Sequence, residues 1–178
     1  KALKTQKDDS NKKTGAEEKI GQVKVIILPD RTRSVPVGKS GVTKTSYVVS
    51  TPAYETLGDK VTKITGKATL EITIQTIYKP SADPKDTSAY GRGTTKADKK
   101  SGNTSLRFHE GSHGAYALRY LAAHAVPSFK GKVGQSEEKY LAAGEKYKEK
   151  VAEYMTDMDA ANDKAVDCVG TKDSSCAP

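Results

Sequence analysis

The sequence predicts an α+β fold in which a small antiparallel or mixed sheet is followed by two helices. The residues from Ala68 to Tyr78 alternate between apolar and polar side chains, as in a strand with one buried face. Apolar residues then recur at helical spacing from Leu106 to near Pro127, and again over residues 136–166. Because the strands precede the helices, we expect the two helices to pack as a hairpin against the sheet.

Three strands are predicted from short runs of β-branched and aromatic residues. Residues 23–28 form an apolar run that stops at Pro29, and residues 42–50 have the composition of a second strand. The alternation over residues 68–78 predicts a third strand with one buried and one solvated face. The buried face is predicted to consist of Leu70, Ile72, Ile74, Thr76 and Tyr78.

Each predicted helix has a suitable capping residue where its apolar pattern begins. Ser105 or Thr104 is suited to cap the first helix, and Ser136, which two glutamates follow, is suited to cap the second. Between the last strand and the first helix, residues 80–103 are mostly Gly, Ser, Thr, Asp and Lys. They predict a long loop without regular structure, a kind of segment that is often functional or mobile.

The length of 178 residues is that of one domain, which we place at residues 21–178 after a charged, flexible lead-in over residues 1–20. The net charge of +8 comes from lysines spread along the chain, so it predicts solubility rather than specific nucleic-acid binding. No apolar run reaches the length of about 18 residues that a membrane span needs. The chain opens without Met, which indicates either a removed signal segment or a domain of a longer protein.

The chain has two cysteines, Cys168 and Cys176, and both lie near its C-terminus. A short-loop disulfide between them would pin the tail and would suit an oxidising compartment. Two free thiols in a cytosolic protein are the alternative. Neither cysteine belongs to a Cys-x-x-Cys pair, so redox catalysis and a cysteine-based zinc site are both poorly supported.

The most specific local pattern is His109-Glu110-Gly111-Ser112-His113, which falls in the first predicted helix. Residues four apart on a helix lie on one side of it, so both imidazoles can reach one metal ion. Zinc binds neutral imidazole, and a catalytic zinc site commonly has three protein ligands and a water molecule. We therefore predict that His109 and His113 bind Zn²⁺ and that Glu110 is the general base.

The pattern does not identify the third ligand. His124 lies about 16 Å beyond His113 along the helix, so we interpret it as a helix-end residue. If the two helices form an antiparallel hairpin, the motif lies level with roughly residues 146–158 of the second helix. The candidates there and at the end of that helix are Asp157, Glu153, Glu149 and Asp163.

Two further elements near the motif are candidates for substrate contacts. Tyr116 and Tyr120 follow on the same helix, where core packing is favoured and donation to an oxyanion is the alternative. The strand from Ala68 to Tyr78 is a candidate to hold a peptide substrate as an added strand, because it directly precedes the loop and the motif.

The segment Arg107-Phe108-His109-Glu110-Gly111-Ser112-His113-Gly114 resembles the motif of a bacterial family of predicted secreted zinc-dependent proteases, within the wider zincin group. The likeness in layout extends over residues 45–170. Where the family has a Tyr-Asp pair and a later His, this chain has Asn162-Asp163 and no later His. The resemblance implies a zincin-like fold, one zinc ion, and export from a bacterial cell as a secreted or periplasmic protein.

The expected function is zinc-dependent hydrolysis of peptide bonds in a protein or peptide substrate, as a secreted or effector protease. Two alternatives stay open, namely a zinc amidase that acts on cell-wall peptides and a binding module with a vestigial metal site. The sequence also leaves open whether an inhibitor or immunity protein holds the enzyme silent.

Overall fold

The structure, a computed structural model, describes residues 15–176 of the chain. Within these residues the strands come first and the helices last, which confirms the predicted α+β class with a small mixed sheet and a long C-terminal helix. The strands are β1 (Ala16–Ile20), β2 (Val23–Ile27), β3 (Arg31–Thr32), β4 (Gly41–Ser50), β5 (Ala53–Leu57), β6 (Lys60–Thr65) and β7 (Thr69–Tyr78). The helices are α1 (Lys96–Lys100), α2 (Leu106–Ala123) and α3 (Glu137–Val166).

The central strand of the main sheet is β7, the strand with the alternating pattern. On one edge it pairs antiparallel with β4 along its whole length. On its other edge it pairs parallel with β2 and, further along, with β3, while β1 pairs antiparallel with β2. Within residues 15–176, no strand pairs with the outer edge of β4. The sheet therefore has a free edge at β4.

The core lies between one face of this sheet and the two long helices. On β7, Leu70, Ile72, Ile74 and Tyr78 are buried and Thr76 is half-buried, which confirms the predicted inner face. Full burial of an aliphatic side chain of this size stabilises the fold by about 1.5–3 kcal/mol. The core is completed by Val23, Val25, Ala117, Leu121, Tyr147, Val151, Met155 and Met158.

The two long helices pack antiparallel, but they are offset along their axes. The Tyr154 hydroxyl donates to the carbonyl of His124, at the C-terminal end of α2 (3.1 Å). The first half of α3 therefore extends past α2, and the connecting residues 124–136 run back along it, with the Phe129 ring against Tyr140 (ring centroids 5.3 Å apart). As a consequence, the start of α2 lies beside the C-terminal end of α3 and not beside its middle.

Three details of the predicted layout differ from the structure. The flexible lead-in is a wrong prediction for Ala16–Ile20, which pair with β2 as β1, while residues 1–14 lie outside the described residues. The predicted long loop over residues 80–103 contains α1, with Thr95 as its N-cap. The hairpin of β5 and β6 is not predicted, because a register shift between Glu55 and Thr56 interrupts its apolar alternation.

The structure also bears on two predictions made for the chain as a whole, the disulfide and the membrane span. The predicted disulfide is confirmed, since Cys168 and Cys176 are bonded with their Cα atoms 5.5 Å apart. In the part of the chain that the structure describes, none of the helices combines the length and the apolar character that crossing a bilayer requires.

Candidate metal centre

Helix α2 presents His109 and His113 on one side, as their spacing predicts. Ser105 caps the helix by accepting a hydrogen bond from the backbone N–H of Phe108 (3.2 Å), so His109 lies in the first turn. The two imidazole rings are nearly perpendicular, with centroids 5.1 Å apart. His109 is 2% exposed, and the side chain of His113 is 12% exposed. Both predicted ligands therefore come together in a site that solvent only partly reaches.

A third group, the carboxylate of Asp167, joins the two imidazoles. Its Oδ1 atom lies 3.2 Å from His109 Nε2 and 3.1 Å from His113 Nε2. The ligand atoms of the three residues lie within 4.8 Å of one another, so this group could hold a metal ion. Asp167 is the C-cap of α3, so the third group comes from the end of the long helix.

The carboxylates predicted as the third ligand do not take this position. The helix offset explains the error, because it brings Asn162 and Asp167, rather than residues from the middle of α3, beside the two histidines. None of the four predicted candidates, Glu149, Glu153, Asp157 and Asp163, belongs to the group of three. Of these four, only Asp163 lines the cleft in which the group lies.

Hydrogen bonds on the far side of each ring determine which nitrogen faces the centre. His109 Nδ1 lies 3.1 Å from the carbonyl oxygen of Arg92, which can only accept, so this nitrogen carries the proton in the neutral ring. His113 Nδ1 lies 3.1 Å from Asn162 Oδ1, and the Asn162 amide nitrogen donates to the backbone carbonyl of His113. Both Nε2 atoms then present bare lone pairs to Asp167. Three acceptors that converge this closely require a cation or a proton between them.

The two separations from Asp167 Oδ1 suit ligand atoms around one metal ion. With ligand bonds of about 2.0–2.1 Å, neighbouring ligand atoms around tetrahedral zinc lie about 3.3 Å apart. The two separations from Asp167 Oδ1, at 3.2 and 3.1 Å, are close to that value. Imidazole nitrogen and carboxylate oxygen are also donors that zinc accepts. The residues therefore fit one metal ion without a large rearrangement.

The short distances between these side chains shift the pKa values of His113 and Asp167. Burial is the largest single effect on the pKa of His113 and acts to lower it, but in the protonated ring the hydrogen bond to Asp167 and the charges of Asp167 and Glu110 together raise the pKa above its ordinary value. Burial is the largest single effect on the pKa of Asp167 and acts to raise it, but hydrogen bonds from the protonated rings of His109 and His113, together with their charges, hold this pKa well below its usual range. Asp167 is therefore ionised at neutral pH, as an anionic ligand must be.

Glu110, the predicted base, lies between the two histidines and strand β4. It is 2% exposed, and its Oε2 accepts a hydrogen bond from the Thr43 hydroxyl (2.9 Å). A Cβ atom at Gly41 would lie 2.8 Å from Glu110 Oε1, so only glycine leaves room for the carboxylate there. Burial raises the pKa of the Glu110 carboxyl, while the charges of His109 and His113 oppose this rise. A carboxyl group with a raised pKa is better matched to accept and release a proton near neutral pH.

His109, His113 and Asp167, called the metal-binding group below because they could hold a metal ion, open into a cleft of about 500 Å³ along the edge of β4. Consecutive residues from Val42 to Ser46 line this cleft, although neighbouring residues of a strand point to opposite faces. The cleft therefore follows the unpaired edge of the strand. The hypothesis that β7 holds a substrate strand is wrong, because both edges of β7 are already paired. Of these two strands, only β4 has an edge to which an extended peptide can add.

Tyr90, to which the sequence assigned no role, lines the cleft beside the metal-binding group. Its ring packs edge-on against the ring of His109, with 5.0 Å between centroids. Lys39 Nζ donates to the Tyr90 hydroxyl oxygen (2.8 Å), which leaves the proton of the phenol free for another acceptor. Burial raises the pKa of Tyr90, and the hydrogen bond from Lys39 opposes the rise. The phenol is therefore protonated at neutral pH.

Tyr116 and Tyr120 do not line the cleft. The Tyr120 ring stacks on His124 with centroids 3.9 Å apart and packs against Tyr154 at 5.5 Å. Tyr120 packs against the core, which agrees with the packing role that was favoured for it. His124 is the C-cap of α2, which confirms its interpretation as a helix-end residue.

An ion pair between half-buried Arg92 and buried Asp98 holds the segment whose carbonyl group orients His109. Asp98 is 4% exposed and accepts hydrogen bonds from Arg92 Nε (3.0 Å), Arg92 Nη2 (2.8 Å) and the backbone N–H of Gly93 (2.9 Å). Gly91 turns the chain here with a φ of 64°, and a Cβ atom on it would lie 2.8 Å from His109 Cε1. The Arg92 hydrogen bonds hold the pKa of Asp98 well below its usual range, although burial acts to raise it.

Comparison with protein-family models, with curated proteins and with solved structures found no match to this chain. The chemistry of the site is therefore inferred from its own geometry.

Replacement of Asp98 by Asn is expected to lower the free energy of unfolding at pH 7 by about 1.5–3 kcal/mol, the range for hydrogen bonds to charged groups. The pKa of Asp98 is lower in the folded than in the unfolded protein, so the pair stabilises the fold above about pH 4 and loses this effect as the pH falls further. Urea denaturation between pH 7 and pH 2 tests the expectation, since the difference between wild type and variant should shrink at acidic pH.

Asp59→Asn is the matched control for this series, because the Asp59 side chain is 78% exposed. It should change the free energy of unfolding by less than about 0.5 kcal/mol at every pH. A difference between wild type and Asp98→Asn that stays constant with pH would contradict the role given to the ion pair.

Proposed function

We propose that this protein is a zinc-dependent metallopeptidase that hydrolyses peptide bonds. The observation that supports this most directly is the convergence of three ligand atoms, from His109, His113 and Asp167, in a cleft beside the buried carboxylate of Glu110. A metal-binding group and a general base at adjacent positions are the two parts that metal-assisted hydrolysis requires. The resemblance of the His-Glu-x-x-His segment to zincin proteases agrees with this proposal.

Zinc is the proposed metal because of the donor set and its spacing. Two imidazoles and one carboxylate also bind ferrous iron in oxygenases, and separations of 3.1–3.2 Å suit either ion, so zinc is proposed on the His-Glu-x-x-His spacing. Glu110 is close to the centre without belonging to the metal-binding group, a position that suits proton transfer. Zinc bound there would supply Lewis-acid chemistry by lowering the pKa of a water molecule to about 7 and polarising a carbonyl.

Residues of the chain would carry out the proton transfers. As the water oxygen attacks the carbonyl carbon, Glu110 takes one of the water protons. Glu110 then gives this proton to the amide nitrogen while the carbon–nitrogen bond breaks, so that a free amine leaves. The hydrogen bond from Thr43 to Glu110 Oε2 holds the carboxylate in one orientation throughout.

Tyr90 is the proposed donor to the negative charge that develops on the carbonyl oxygen. Its hydroxyl oxygen already accepts from Lys39, so its own proton is available, and the positive charge of Lys39 strengthens it as a donor. A donor of this kind is effective when its position is fixed before the reaction begins. The contact between the rings of Tyr90 and His109 provides this fixed position.

We propose that the substrate lies in an extended conformation along the free edge of β4. Backbone groups on this edge have no strand partner among residues 15–176, and the cleft follows Val42 to Ser46. Backbone pairing with an added strand would hold the peptide independently of its side chains. The scissile bond would then lie between the strand edge and the metal-binding group.

We also propose that the protein acts outside the cytoplasm, as a secreted or periplasmic protein. The disulfide between Cys168 and Cys176 supports this proposal, because such bonds persist in oxidising compartments.

Protein purified without added metal should contain about one equivalent of zinc by elemental analysis. The Asp167→Asn variant should bind zinc more than about 100-fold more weakly, which exceeds the usual effect of losing an outer-shell partner. Asp163→Asn is the matched control, since Asp163 lines the cleft outside the metal-binding group. Zinc should be released as the pH falls, and the raised pKa of His113 moves this release to higher pH. Iron in place of zinc, or equal affinities in the two variants, would contradict the assignment.

The Glu110→Gln variant should keep its zinc and lose hydrolytic activity by about 10²–10⁴-fold, because the amide can accept from Thr43 but cannot take a proton. Fluorescent casein and purified peptidoglycan should be tested in parallel with Glu138→Gln, an exposed glutamate on α3, as the control. Activity on peptidoglycan alone would favour the cell-wall amidase instead. Undiminished activity in the Glu110→Gln variant would remove Glu110 from its proposed role.

The Tyr90→Phe variant should retain zinc and substrate binding but show a turnover number lower by about 10²-fold, the effect of removing one oxyanion donor. Steady-state kinetics should therefore place the loss in kcat and not in KM. Tyr116→Phe removes the same hydroxyl group outside the cleft and should leave both constants unchanged. A loss confined to KM would assign Tyr90 to substrate binding alone.

A further inference from the structure

The residues that follow Asp167 fold back onto it. The backbone N–H of Asp173 donates to the carbonyl oxygen of Asp167 (3.2 Å), and the N–H of Cys176 donates to the carbonyl of Asp173 (3.0 Å). The Cys168–Cys176 disulfide closes this segment into a loop, and Cys168 is the residue directly after Asp167. The disulfide therefore begins at the residue next to the third member of the metal-binding group.

The same loop, residues 168–176, is joined to the other walls of the site. Lys39, which contacts Tyr90, forms an ion pair with the carboxylate of Asp173 (2.8 Å). The Thr171 carbonyl accepts from the N–H of Gly91 (2.6 Å), in the segment that supplies the Arg92 carbonyl to His109. A displacement of the loop would therefore disturb the surroundings of both Asp167 and His109.

The loop has no core of its own to keep it in place. None of the residues from Asp167 to Cys176 is buried, and the sequence between the two cysteines is mainly Gly, Thr, Lys, Asp and Ser. A polar segment of this kind gains little from apolar burial, so its closed conformation depends on the covalent bond and a few hydrogen bonds. Both cysteines are partly exposed, so a reductant can reach them.

We propose that this disulfide-closed loop is a clamp that positions Asp167, so that the metal centre is complete only when Cys168 and Cys176 are oxidised. The inference rests on the metal-binding part of the proposed function and not on the hydrolytic part. Two thiols of a small-molecule reductant supply two electrons and two protons to the bond, giving two cysteine thiols and the disulfide of the reductant. In a reducing cytosol the protein would bind zinc weakly, and after oxidation it would bind zinc tightly.

Zinc affinity measured by competition with a chromophoric chelator tests the clamp on the full chain. The Cys168→Ser/Cys176→Ser double variant has no thiols that could bind zinc themselves, and it should bind zinc about 10–100-fold more weakly than the oxidised wild type. Asp173→Asn keeps the disulfide but loses the ion pair with Lys39, and it should show a smaller loss in the same direction. Glu145→Gln removes an exposed ion pair elsewhere on α3 and should leave the affinity unchanged.

Circular dichroism and thermal unfolding in the presence of a metal chelator show whether the double variant is folded. A folded double variant with zinc affinity within about twofold of the wild type would overturn the clamp and leave the peptidase proposal intact, since outer-shell partners of metal ligands usually matter 10–100-fold. A weaker affinity in the double variant, combined with no hydrolysis by zinc-loaded wild type, would support the clamp and overturn the peptidase. If oxidised wild type itself binds no zinc, both proposals fail.

If the double variant does not fold, oxidised wild type and wild type treated with a phosphine reductant are compared instead. The Asp173→Asn variant, whose disulfide is intact, then shows whether the loop positions Asp167 or whether loss of the disulfide merely unfolds the protein. Unchanged affinity in that variant would overturn the positioning role of the loop.

Discussion

The convergence of three bare ligand atoms where α2 meets the end of α3 is the constraint on which the surrounding structure depends. Two lone-pair nitrogens and a carboxylate oxygen repel one another at separations of 3.1–3.2 Å unless a proton or a metal ion lies between them. Each of the three groups is therefore held in place by a contact on the side that faces away from the other two. The Arg92 carbonyl orients His109, the Asn162 amide orients His113, and the last turn of α3 carries Asp167. These outer contacts hold the three atoms together against their repulsion, so a cation placed between them would be stabilised.

The site also depends on the contact between helix α2 and the sheet. Glu110 is on α2, but its carboxylate is held by Thr43 of β4, whose hydroxyl also lies 2.9 Å from that of Thr76 on β7. The site is thus assembled across the contact between helix and sheet, and the relative position of the two layers controls the chemistry. Glycine leaves room for the side chains of the site at Gly41 on β4, beside Glu110, and at Gly91 in the loop before α1, beside His109. A larger residue at either position would displace the carboxylate or the imidazole.

The C-terminal loop connects these parts into one unit. It follows Asp167, contacts the Gly91 segment behind His109, and forms an ion pair with Lys39, which donates to the Tyr90 hydroxyl. An exposed polar loop contributes little to the hydrophobic core, yet this one contacts Lys39, the Gly91 segment and Asp167. Its closure by a disulfide is a covalent way to order a segment that apolar burial cannot order.

The sequence by itself determined the features that depend on local spacing. The α+β class follows from the alternation along β7 and the helical periodicity of α2 and α3, and both were confirmed. The placement of His109 and His113 on one side follows from helix geometry alone. The disulfide could be predicted because the chain has only two cysteines, close together near its end.

Only the tertiary structure decided which residues complete the site. Asp167 depends on the offset between α2 and α3, which the connection over residues 124–136 sets and which no periodicity encodes. The position directly before Cys168 was the one signal that pointed to it. The free edge of β4 and the position of Tyr90 depend on contacts between residues far apart in the chain. Such pairings are fixed by packing of the whole core and not by local pattern, so they become visible only once the chain is folded.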